Sequence, residues 1–457
     1  MCQASEVGPP APGAPREGLS HGHSSGVSPE REQAASGIEG GGEPYTLRHG
    51  VAGQVSPPVG GLSLKARRTG RFLRAHGLHV IVVTMERQAI KPRTDRTDHG
   101  TPTRDRGRRG AIQYAPLTAE RLDDAKALLL PFWKRSWEPG LAERIFRWRF
   151  LERPDWEATL AYDGDRPVGF VDSFFTPYLT EAGVVRVRET ADWFCHPDYR
   201  PLVGIRLLRG IMTKPEPIVV VGGRDTARQI VSRMGWSVLP ELGRYVLPTG
   251  TGAMVKGLSK RFRFPLSSVP RAVARGLSIR TALAPGAGHR PLEGTVALVE
   301  DGMALPWIQP APDAYGLSSL LAPERFEWLR RAPPELGRFF CLAFDTGEGG
   351  RGLALGRTYE DGPFRAGRIL HLTATAPTLE AYAWMIGQTA RFLVGEGAQW
   401  ITARFSCSTA RDALEAVGFR YTGPCQAFWW HPEAPTPEGP IDLGWATGDE
   451  GVLPYPT

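Results

Sequence analysis

The sequence predicts an α/β fold of two tandem domains, each a mixed, largely antiparallel sheet flanked by helices, after a disordered N-terminal tail. The first observation behind this prediction is an internal echo, by which we mean a short sequence pattern that occurs twice in the chain. Thr226-Ala227-Arg228 leads to Gly235-Trp236, and 183 residues later Thr409-Ala410-Arg411 leads to Gly418-Phe419. Each copy has the pattern of a short amphipathic helix that ends at a glycine and is followed by an aromatic strand.

A second echo lies upstream, in the same order. Phe146-Arg147-Trp148 precedes Pro154, and Phe326-Glu327-Trp328 precedes Pro333. One such match can arise by chance, but two matches in the same order and at similar spacing arise by chance less often. The two echoes together therefore indicate two copies of one domain.

Residues 1–110 are expected to form a disordered, basic, low-complexity tail, because they are rich in Gly, Pro, Ser and Arg and lack hydrophobic periodicity. They carry 16 of the 55 Lys and Arg and 10 of the 48 Asp and Glu, so most of the net charge of +7 belongs to them. The nearly neutral remainder disfavours nucleic acid as a partner, except through the basic end of the tail. A start at Met85 is an alternative, in which case residues 1–84 are not part of the native protein.

The first domain is predicted over residues 111–248. Apolar periodicity and the hairpin signal Asp163-Gly164-Asp165 define its elements. These are helices near 122–130 and 139–152, strands near 158–162, 168–175 and 184–195, a helix at 203–212, a strand at 218–221, a helix at 226–234 and a strand ending near 247.

A Gly-, Pro- and Arg-rich linker is predicted over 249–292, followed by a second domain over 293–432 and a Pro-, Gly- and acid-rich tail over 433–457. The predicted elements of the second domain are a strand at 296–299, a helix at 323–331, strands at 339–344, 352–357 and 368–373, a helix at 378–394, a strand at 399–405, the repeated helix and a final strand to 430.

Composition excludes several classes of protein. Five cysteines without a CxxC spacing disfavour a disulfide framework or a zinc ribbon and indicate a reducing, cytoplasmic location. The histidines are scattered, so no metal site is expected. No apolar run approaches the roughly 20 residues that cross a membrane. The sequence leaves the oligomeric state open.

The chemistry-bearing segment runs from Thr190 to Leu208. It reads as a strand, a turn His196-Pro197-Asp198-Tyr199-Arg200 and a helix start that contains Gly204. The start of a helix exposes unpaired N–H groups and a partial positive charge, which suit a pyrophosphate. This segment resembles the coenzyme A-binding loop of the GNAT (GCN5-related N-acetyltransferase) superfamily. The resemblance covers about 112–432 and is closest to two-domain members associated with bacterial polysaccharide biosynthesis.

The resemblance implies an acyl-CoA-dependent N-acyltransferase with acetyl-CoA or another acyl-CoA as co-substrate. The acceptor would be an amine, such as an amino sugar or an amino acid, attacking directly in a ternary complex. Backbone N–H groups of Phe194 or Cys195 would hold the thioester carbonyl. The other cofactor-binding positions implied are Arg200, Val203, Gly204, Ile205 and Arg206.

Four departures from the family pattern bear on activity. Val203 stands near the place of the first loop glycine, and Arg206 stands where a small residue is usual. The tyrosine that often acts as general acid is replaced by Val231 and Leu414. The second copy has no recognisable loop before its helix, so we expect it to bind acyl-CoA poorly.

Glu189 and Asp192 are the candidates for the base that takes a proton from the amine. Their odd spacing places them on opposite faces of a regular strand, so at most one points at the cleft unless a bulge intervenes. A surface ion pair of Glu189 with Arg186 or Arg188 is the structural alternative. Cys195 is expected to be a buried small residue rather than a nucleophile, and His371 a hydrogen-bonded core residue.

Two other functions remain open at this stage. One is a scaffold or binding protein of the same fold in which both sites have decayed, which the altered loop favours. The other is Fem-type aminoacyl transfer from charged tRNA, which would need a basic groove.

Overall fold

The computed structural model describes most of the chain after residue 110. The described ranges are 111–133, 137–200, 202–223, 225–262, 265–277, 294–302, 305–306, 308–311, 313–346, 349–433 and 435–444. The predicted tail, the candidate start Met85 and the last part of the predicted linker lie outside them.

The first half of the described chain contains every element predicted for it, with an added edge strand at its start. The strands are paired mainly antiparallel, and the helices cover both faces. The elements are β1 (Gln113–Pro116), α1 (Leu122–Trp133), α2 (Pro139–Phe150), β2 (Trp156–Asp163), β3 (Arg166–Thr180), β4 (Gly183–Cys195), α3 (Leu202–Met212), β5 (Ile218–Val221), α4 (Asp225–Arg233) and β6 (Ser237–Pro248).

The segment predicted as a linker contains two helices, α5 (Thr251–Phe262) and α6 (Arg271–Leu277). Its glycines concealed α5 from the sequence pattern, because glycine disfavours a helix interior. Gly252 has a packing reason: a Cβ there would lie 2.8 Å from both Gln399 and Phe364 side chains. The glycine therefore lets α5 lie directly against the second half.

The described part of the second half follows the order of the first, with two added short strands, β8 and β14, and with one helix, α7, where the first half has α1 and α2. Its elements are β7 (Thr295–Val299), β8 (Leu317–Ser319), α7 (Pro323–Arg330), β9 (Arg338–Asp345), β10 (Arg351–Asp361), β11 (Phe364–Ala374), α8 (Leu379–Gly395), β12 (Trp400–Phe405), α9 (Ser408–Val417), β13 (Arg420–Trp430) and β14 (Ile441–Asp442). The glycines predicted to end the two echoed helices are in the left-handed region, with φ of 83° at Gly235 and 101° at Gly418.

Both halves contribute to one sheet, and each half gives its last long strand to the other. The strand order is β1-β2-β3-β4-β5-β13-β6-β12-β11-β10-β9-β7, with β8 joined to β3 and β14 to β8. β13 therefore separates β5 from β6, and both neighbours of β6 come from the second half. The sequence could not predict this exchange, because pairing between distant strands leaves no local signal.

The two echoed tryptophans meet where the halves join. The rings of Trp148 and Trp328 stack with centroids 4.4 Å apart and planes 6° apart. The indole Nε1 of Trp148 donates to the carbonyl of Trp328 at 2.9 Å, and Nε1 of Trp328 donates to the carbonyl of Trp148 at 2.8 Å. These reciprocal contacts indicate a local two-fold relation between α2 and α7.

The helices divide between the two faces of the sheet. α1, α2 and α7 share one apolar core with Phe170 of β3. α3 packs on the opposite face with Val171 of β3, and α8 and α9 cover the corresponding face of the second half. Side chains of β4 therefore point either at α1, α2 and α7 or at α3.

Candidate functional site

β4 and β5 pair in parallel over only three residues and then diverge. The last pair is Thr190 with Val220. β4 continues to Cys195, whereas β5 ends at Val221 and the chain turns away through Gly222 and Gly223, whose φ angles are 83° and 85°. The parallel register of β4 with β5 therefore ends at Thr190, five residues before β4 itself ends at Cys195. We call this opening the first cleft.

A β-bulge lies in β4 at the mouth of the first cleft. Val171 of β3 pairs with Trp193 and Ser173 pairs with Thr190, so one β3 residue, Asp172, faces two residues of β4. The N–H of Asp192 lacks a ladder partner there and donates to Oδ1 of Asp172 at 2.5 Å. The expectation for a regular strand therefore does not hold, and Glu189 and Asp192 lie on the same face.

Asp192 belongs to a buried polar cluster under α1 and α2. Its Oδ1 accepts from Nε1 of Trp133 at 3.2 Å, and its Oδ2 accepts from Nη2 of Arg149 at 2.7 Å. Nη2 of Arg149 also lies 3.5 Å from Oδ2 of Asp172. The guanidinium of Arg149 thus faces the carboxylates of Asp172 and Asp192. This shared cation and the hydrogen bonds of the two carboxylates hold the bulge in place.

Asp172 was not among the predicted site residues. Burial raises its pKa to about 7; the charge of Arg149 opposes this rise and that of Asp192 adds to it. The signal that marks it is a carboxylate within the otherwise apolar run of β3. Its side chain is fully buried, and its Oδ1 accepts the N–H of Asp192, so Asp172 holds the bulge.

Glu189 is fully buried between the two halves. Tyr178 donates its hydroxyl to Oε1 at 2.8 Å, and Nη1 of Arg325 on α7 lies 3.8 Å from the same oxygen. The alternative prediction, an ion pair of Glu189 with Arg186 or Arg188, is wrong. Arg186 instead forms an ion pair with Asp155 at 2.8 Å. Arg188 donates to Glu157 at 2.8 Å and to Ser173 at 2.9 Å.

The turn between β4 and α3 holds the start of α3 beside the first cleft. Tyr199 donates to Oδ2 of Asp163 at 2.6 Å, and Nε of Arg200 donates to the carbonyl of Cys195 at 2.9 Å. The first N–H groups of α3 have no partners within the helix. Leu202 at this start is 56% exposed, so α3 reaches the protein surface at its first residue.

The four predicted cofactor positions in α3 have unlike environments. Val203 and Gly204 are buried; the carbonyl of Gly204 accepts from Nε1 of Trp193 at 3.0 Å. Ile205 is half-buried. Arg206 is exposed and lines a separate cavity of about 310 Å³ between α3 and β1–β3, away from the first cleft.

Cys195 and His371 both lie in the core. Burial raises the pKa of the Cys195 thiol, and its Sγ faces the carbonyl of His196 at 3.6 Å. This agrees with a packed cysteine rather than a nucleophile. Burial lowers the pKa of His371 to about 3, helped by the charge of Arg325. Its Nε2 has no hydrogen-bond partner among the described residues, unlike the bonded histidine expected.

The corresponding opening of the second half is filled by the chain itself. β11 and β12 pair from Gly367 to Ile369 and then separate, and residues 440–444 occupy the space between them. Ser406 donates its N–H to the carbonyl of Leu443 at 3.1 Å, and Leu443 donates its N–H to Oγ of Ser406 at 2.8 Å. A Cβ on Gly444 would lie 2.6 Å from the carbonyl of Leu370. The predicted tail thus includes a buried strand, which its Pro- and Gly-rich composition concealed.

Asp442 is buried in this filled opening, and Asp442→Asn should change how stability depends on pH. Burial raises the pKa of Asp442 to about 7, against the hydrogen bond from Ser318. Between about pH 4 and 7 the folded state holds a proton that the unfolded chain has lost. The free energy of unfolding therefore falls with rising pH, by up to about 1.4 kcal/mol per unit, and the variant lacks this fall.

Urea unfolding at several pH values across that window tests the expectation. The stability of Asp442→Asn relative to wild type should rise with pH. Asp412→Asn, at an exposed position of α9, is the matched control and should show a constant difference. A constant difference for Asp442→Asn as well would contradict the linkage.

Metal ligands and membrane-spanning helices can be assessed only for the described residues. No group of three or more His, Cys, Asp or Glu side chains is arranged to hold a metal ion within that part of the chain. Over the same ranges no helix is long and apolar enough to cross a bilayer. The four described cysteines are buried, and none of them forms a disulfide bond with another described residue.

Comparison with known proteins gives only distant structural likenesses. No protein-family model matches the chain, and no curated protein matches it. It is similar to a GCN5-related N-acetyltransferase from Anabaena variabilis, with 11% identity, a TM-score of 0.46 and 70% and 72% of the two chains covered. It is also similar to a putative acetyltransferase from Pyrococcus horikoshii, with 13% identity, a TM-score of 0.43 and coverages of 73% and 93%.

A third similar structure is Saccharomyces cerevisiae N-myristoyltransferase with bound myristoyl-CoA, with 11% identity, a TM-score of 0.43 and coverages of 70% and 82%. Likenesses at these TM-scores and identities carry no argument about activity.

Proposed function

We propose that this protein is an acyl-CoA-dependent N-acyltransferase, with acetyl-CoA as co-substrate and an amine such as an amino sugar or amino acid as acceptor. The observation that carries the proposal is the first cleft, an opening between parallel strands beside the exposed start of α3. Such an opening suits a thioester between the strands and a pyrophosphate at the helix start. The acceptor class and an association with polysaccharide biosynthesis rest on the sequence resemblance alone.

Cys195 is the better of the two predicted donors to the thioester carbonyl. The N–H of His196 donates to the carbonyl of Val168 on β3. Because successive N–H groups of a strand point to opposite sides, that of Cys195 points to the first cleft and that of Phe194 to β3. A donor fixed at the cleft side would stabilise the oxyanion that forms as the amine attacks.

Asp192 is assigned as the base and Glu189 as a positioning residue. Asp192 lies beyond the last pair of β4 and β5, at the cleft, whereas Glu189 lies before it and pairs with Arg325. Asp192 would take a proton from the amine, directly or through a water. The amine nitrogen then bonds to the acyl carbon, the carbon–sulfur bond breaks, and the coenzyme A thiolate leaves and is protonated by solvent.

The two halves are proposed to be copies of one GNAT-like domain, of which the first alone binds acyl-CoA, in a cytoplasmic protein. The recurring element order and the reciprocal contacts of Trp148 and Trp328 support the duplication. Residues 440–444 occupy the place in the second half that corresponds to the first cleft. A single cofactor site per chain follows.

A catalytically inactive scaffold remains the second candidate, and one observation favours it. Both candidate bases are buried and already hydrogen-bonded. Asp192 accepts from Trp133 and Arg149, and Glu189 accepts from Tyr178. Such a protein would bind acyl-CoA without turnover. Fem-type aminoacyl transfer would instead require activity with charged tRNA.

Calorimetry of the full chain with acetyl-CoA tests the proposal, and we expect one site with a dissociation constant in the micromolar range. Leu202→Glu should weaken binding at least about tenfold, because it places a carboxylate where the pyrophosphate would lie. Leu202 is exposed, whereas Gly204 packs against Trp193 and Cys195, so a change at Leu202 spares the core.

Val184→Glu is the matched control, since Val184 is an exposed apolar residue at the far end of β4. It should bind acetyl-CoA like wild type. Absence of binding to acetyl-CoA and to longer acyl-CoAs would overturn the proposal. Binding without turnover of any amine would favour the scaffold.

A further inference from the structure

The outer face of α5 carries an exposed apolar ridge. Met254, Leu258 and Phe262 are 69%, 47% and 66% exposed, and their spacing of four residues places them in one row along the helix. Val273 on α6 is 50% exposed. We call Met254, Leu258 and Phe262 the apolar ridge. Monomeric proteins seldom expose large apolar side chains in rows, so we expect the ridge to bind a partner that covers it.

The ridge is not the packing side of α5, because the opposite side is anchored. Gly252 packs against Gln399 and Phe364, and Val255 joins the core that contains Trp400. Nζ of Lys256 pairs with Asp361 at 2.8 Å and lies 4.5 Å from the ring of Trp400. These contacts fix the rotation of α5 and hold the ridge outward.

Positive charge flanks the ridge. Residues 249–277 contain six Lys and Arg and no Asp or Glu. Lys260 and Arg261 are exposed and lie between Leu258 and Phe262 in the sequence of α5, and Arg271 is exposed at the start of α6. This concentration contrasts with the nearly neutral chain after residue 110, so the positive potential is local to α5 and α6.

We propose that α5 and α6 dock the protein on an anionic lipid surface, with the apolar ridge entering the headgroup region and the flanking cations contacting lipid phosphates and carboxylates. A short helix with Phe and Leu on one side and Lys and Arg beside them suits the boundary between headgroups and acyl chains. Each cation near an anionic surface adds to the attraction. The inference goes beyond the acyl-transfer proposal and does not depend on it.

Two other occupants fit the surface less well. Nucleic acid would contact the cations but leaves the row of Met, Leu and Phe in water, because phosphate contacts dominate such binding. A second copy of the chain would bring like charges together around the ridge, which opposes association. A lipid surface meets both the apolar and the charged groups.

Co-sedimentation of the full chain with vesicles tests the proposal. Vesicles of phosphatidylcholine with about one-third phosphatidylserine should bind wild type at least about tenfold more strongly than pure phosphatidylcholine, and added salt should weaken the binding. The double variants Leu258→Ser with Phe262→Ser, and Lys260→Glu with Arg261→Glu, should each lose at least about tenfold in partitioning.

Matched controls change equally exposed groups elsewhere. Val184→Ser with Val238→Ser removes two exposed apolar side chains, and Arg233→Glu with Arg420→Glu makes the same change in net charge. Both controls should bind vesicles like wild type, and all variants should show the wild-type unfolding transition.

Several results would overturn the proposal. Equal binding to neutral and anionic vesicles, no binding to either, or ridge variants that bind like wild type would each do so. Tight binding to a DNA or RNA duplex that survives loss of the apolar ridge would assign the surface to nucleic acid. A dimer that the ridge variants convert to a monomer would assign it to a second copy.

Discussion

Dividing the chain between residues 285 and 286 should leave neither part able to fold alone. β6 has β13 and β12 as its neighbours, and both would be absent from the first part. β5 would lose the four residues of β13 that pair with it. A core that joins Tyr178 and Leu239 of the first half to Trp429 of the second would be exposed. The expected loss is therefore the whole folded state of each part, not a fraction of its stability.

Circular dichroism and urea unfolding of each part, alone and after co-expression, measure this effect. Each part alone should lack a cooperative transition, and the co-expressed parts should form a one-to-one complex that unfolds cooperatively. The control is the intact chain with a protease site inserted at the same point and cleaved after folding, which should keep its transition. A soluble first part with its own cooperative transition would show that the exchange of β6 and β13 is dispensable.

Arg149→Met should cost about 3–5 kcal/mol of unfolding free energy at neutral pH. The change removes the guanidinium that lies between Asp172 and Asp192 and leaves two carboxylates buried close together. Without that cation the pKa of Asp172 should rise further above its present value of about 7, because burial and Asp192 both favour its neutral form. Stability of the variant should consequently fall further behind wild type as pH rises from about 5 to 8.

Arg147→Met is the matched control for this change. Arg147 lies on the same helix, and its exposed side chain forms a surface pair with Glu143 at 3.7 Å. Such pairs contribute about 0–1 kcal/mol, so this variant should unfold almost as wild type does. Adding Asp172→Asn and Asp192→Asn to Arg149→Met should recover part of the loss and remove its pH dependence. A loss that is equal at all pH values would mean that packing, not charge, explains the effect.

Local pattern predicted most of the elements, because helix and strand periodicities depend on neighbouring residues. The helix before Gly418 and the strand ending at Cys195 were both found in this way. The bulge was not predictable, since it depends on how β3 and β4 align rather than on either sequence alone. The bulge determines which side chains the candidate site contains, because it brings Asp192 to the same face of the sheet as Glu189.

The cluster around Asp172 was missed for a related reason. A carboxylate inside an apolar strand and Arg149 inside the aromatic stretch of α2 each look like isolated exceptions in the sequence. Only the fold shows that their charged atoms lie 3.5 Å apart and form an ion pair. Opposite charges embedded in two apolar elements are the signal that could have linked them.

The central position of β13 also determines when the sheet can be completed during protein synthesis. Val219 of β5 pairs with Trp429, a residue translated 210 positions later. Until β13 leaves the ribosome, β5 and β6 present bare edges that can pair with other chains. Contacts between residues so far apart also form slowly. The first half is therefore expected to depend on chaperones during translation, and its maturation rate is set by the arrival of the second half.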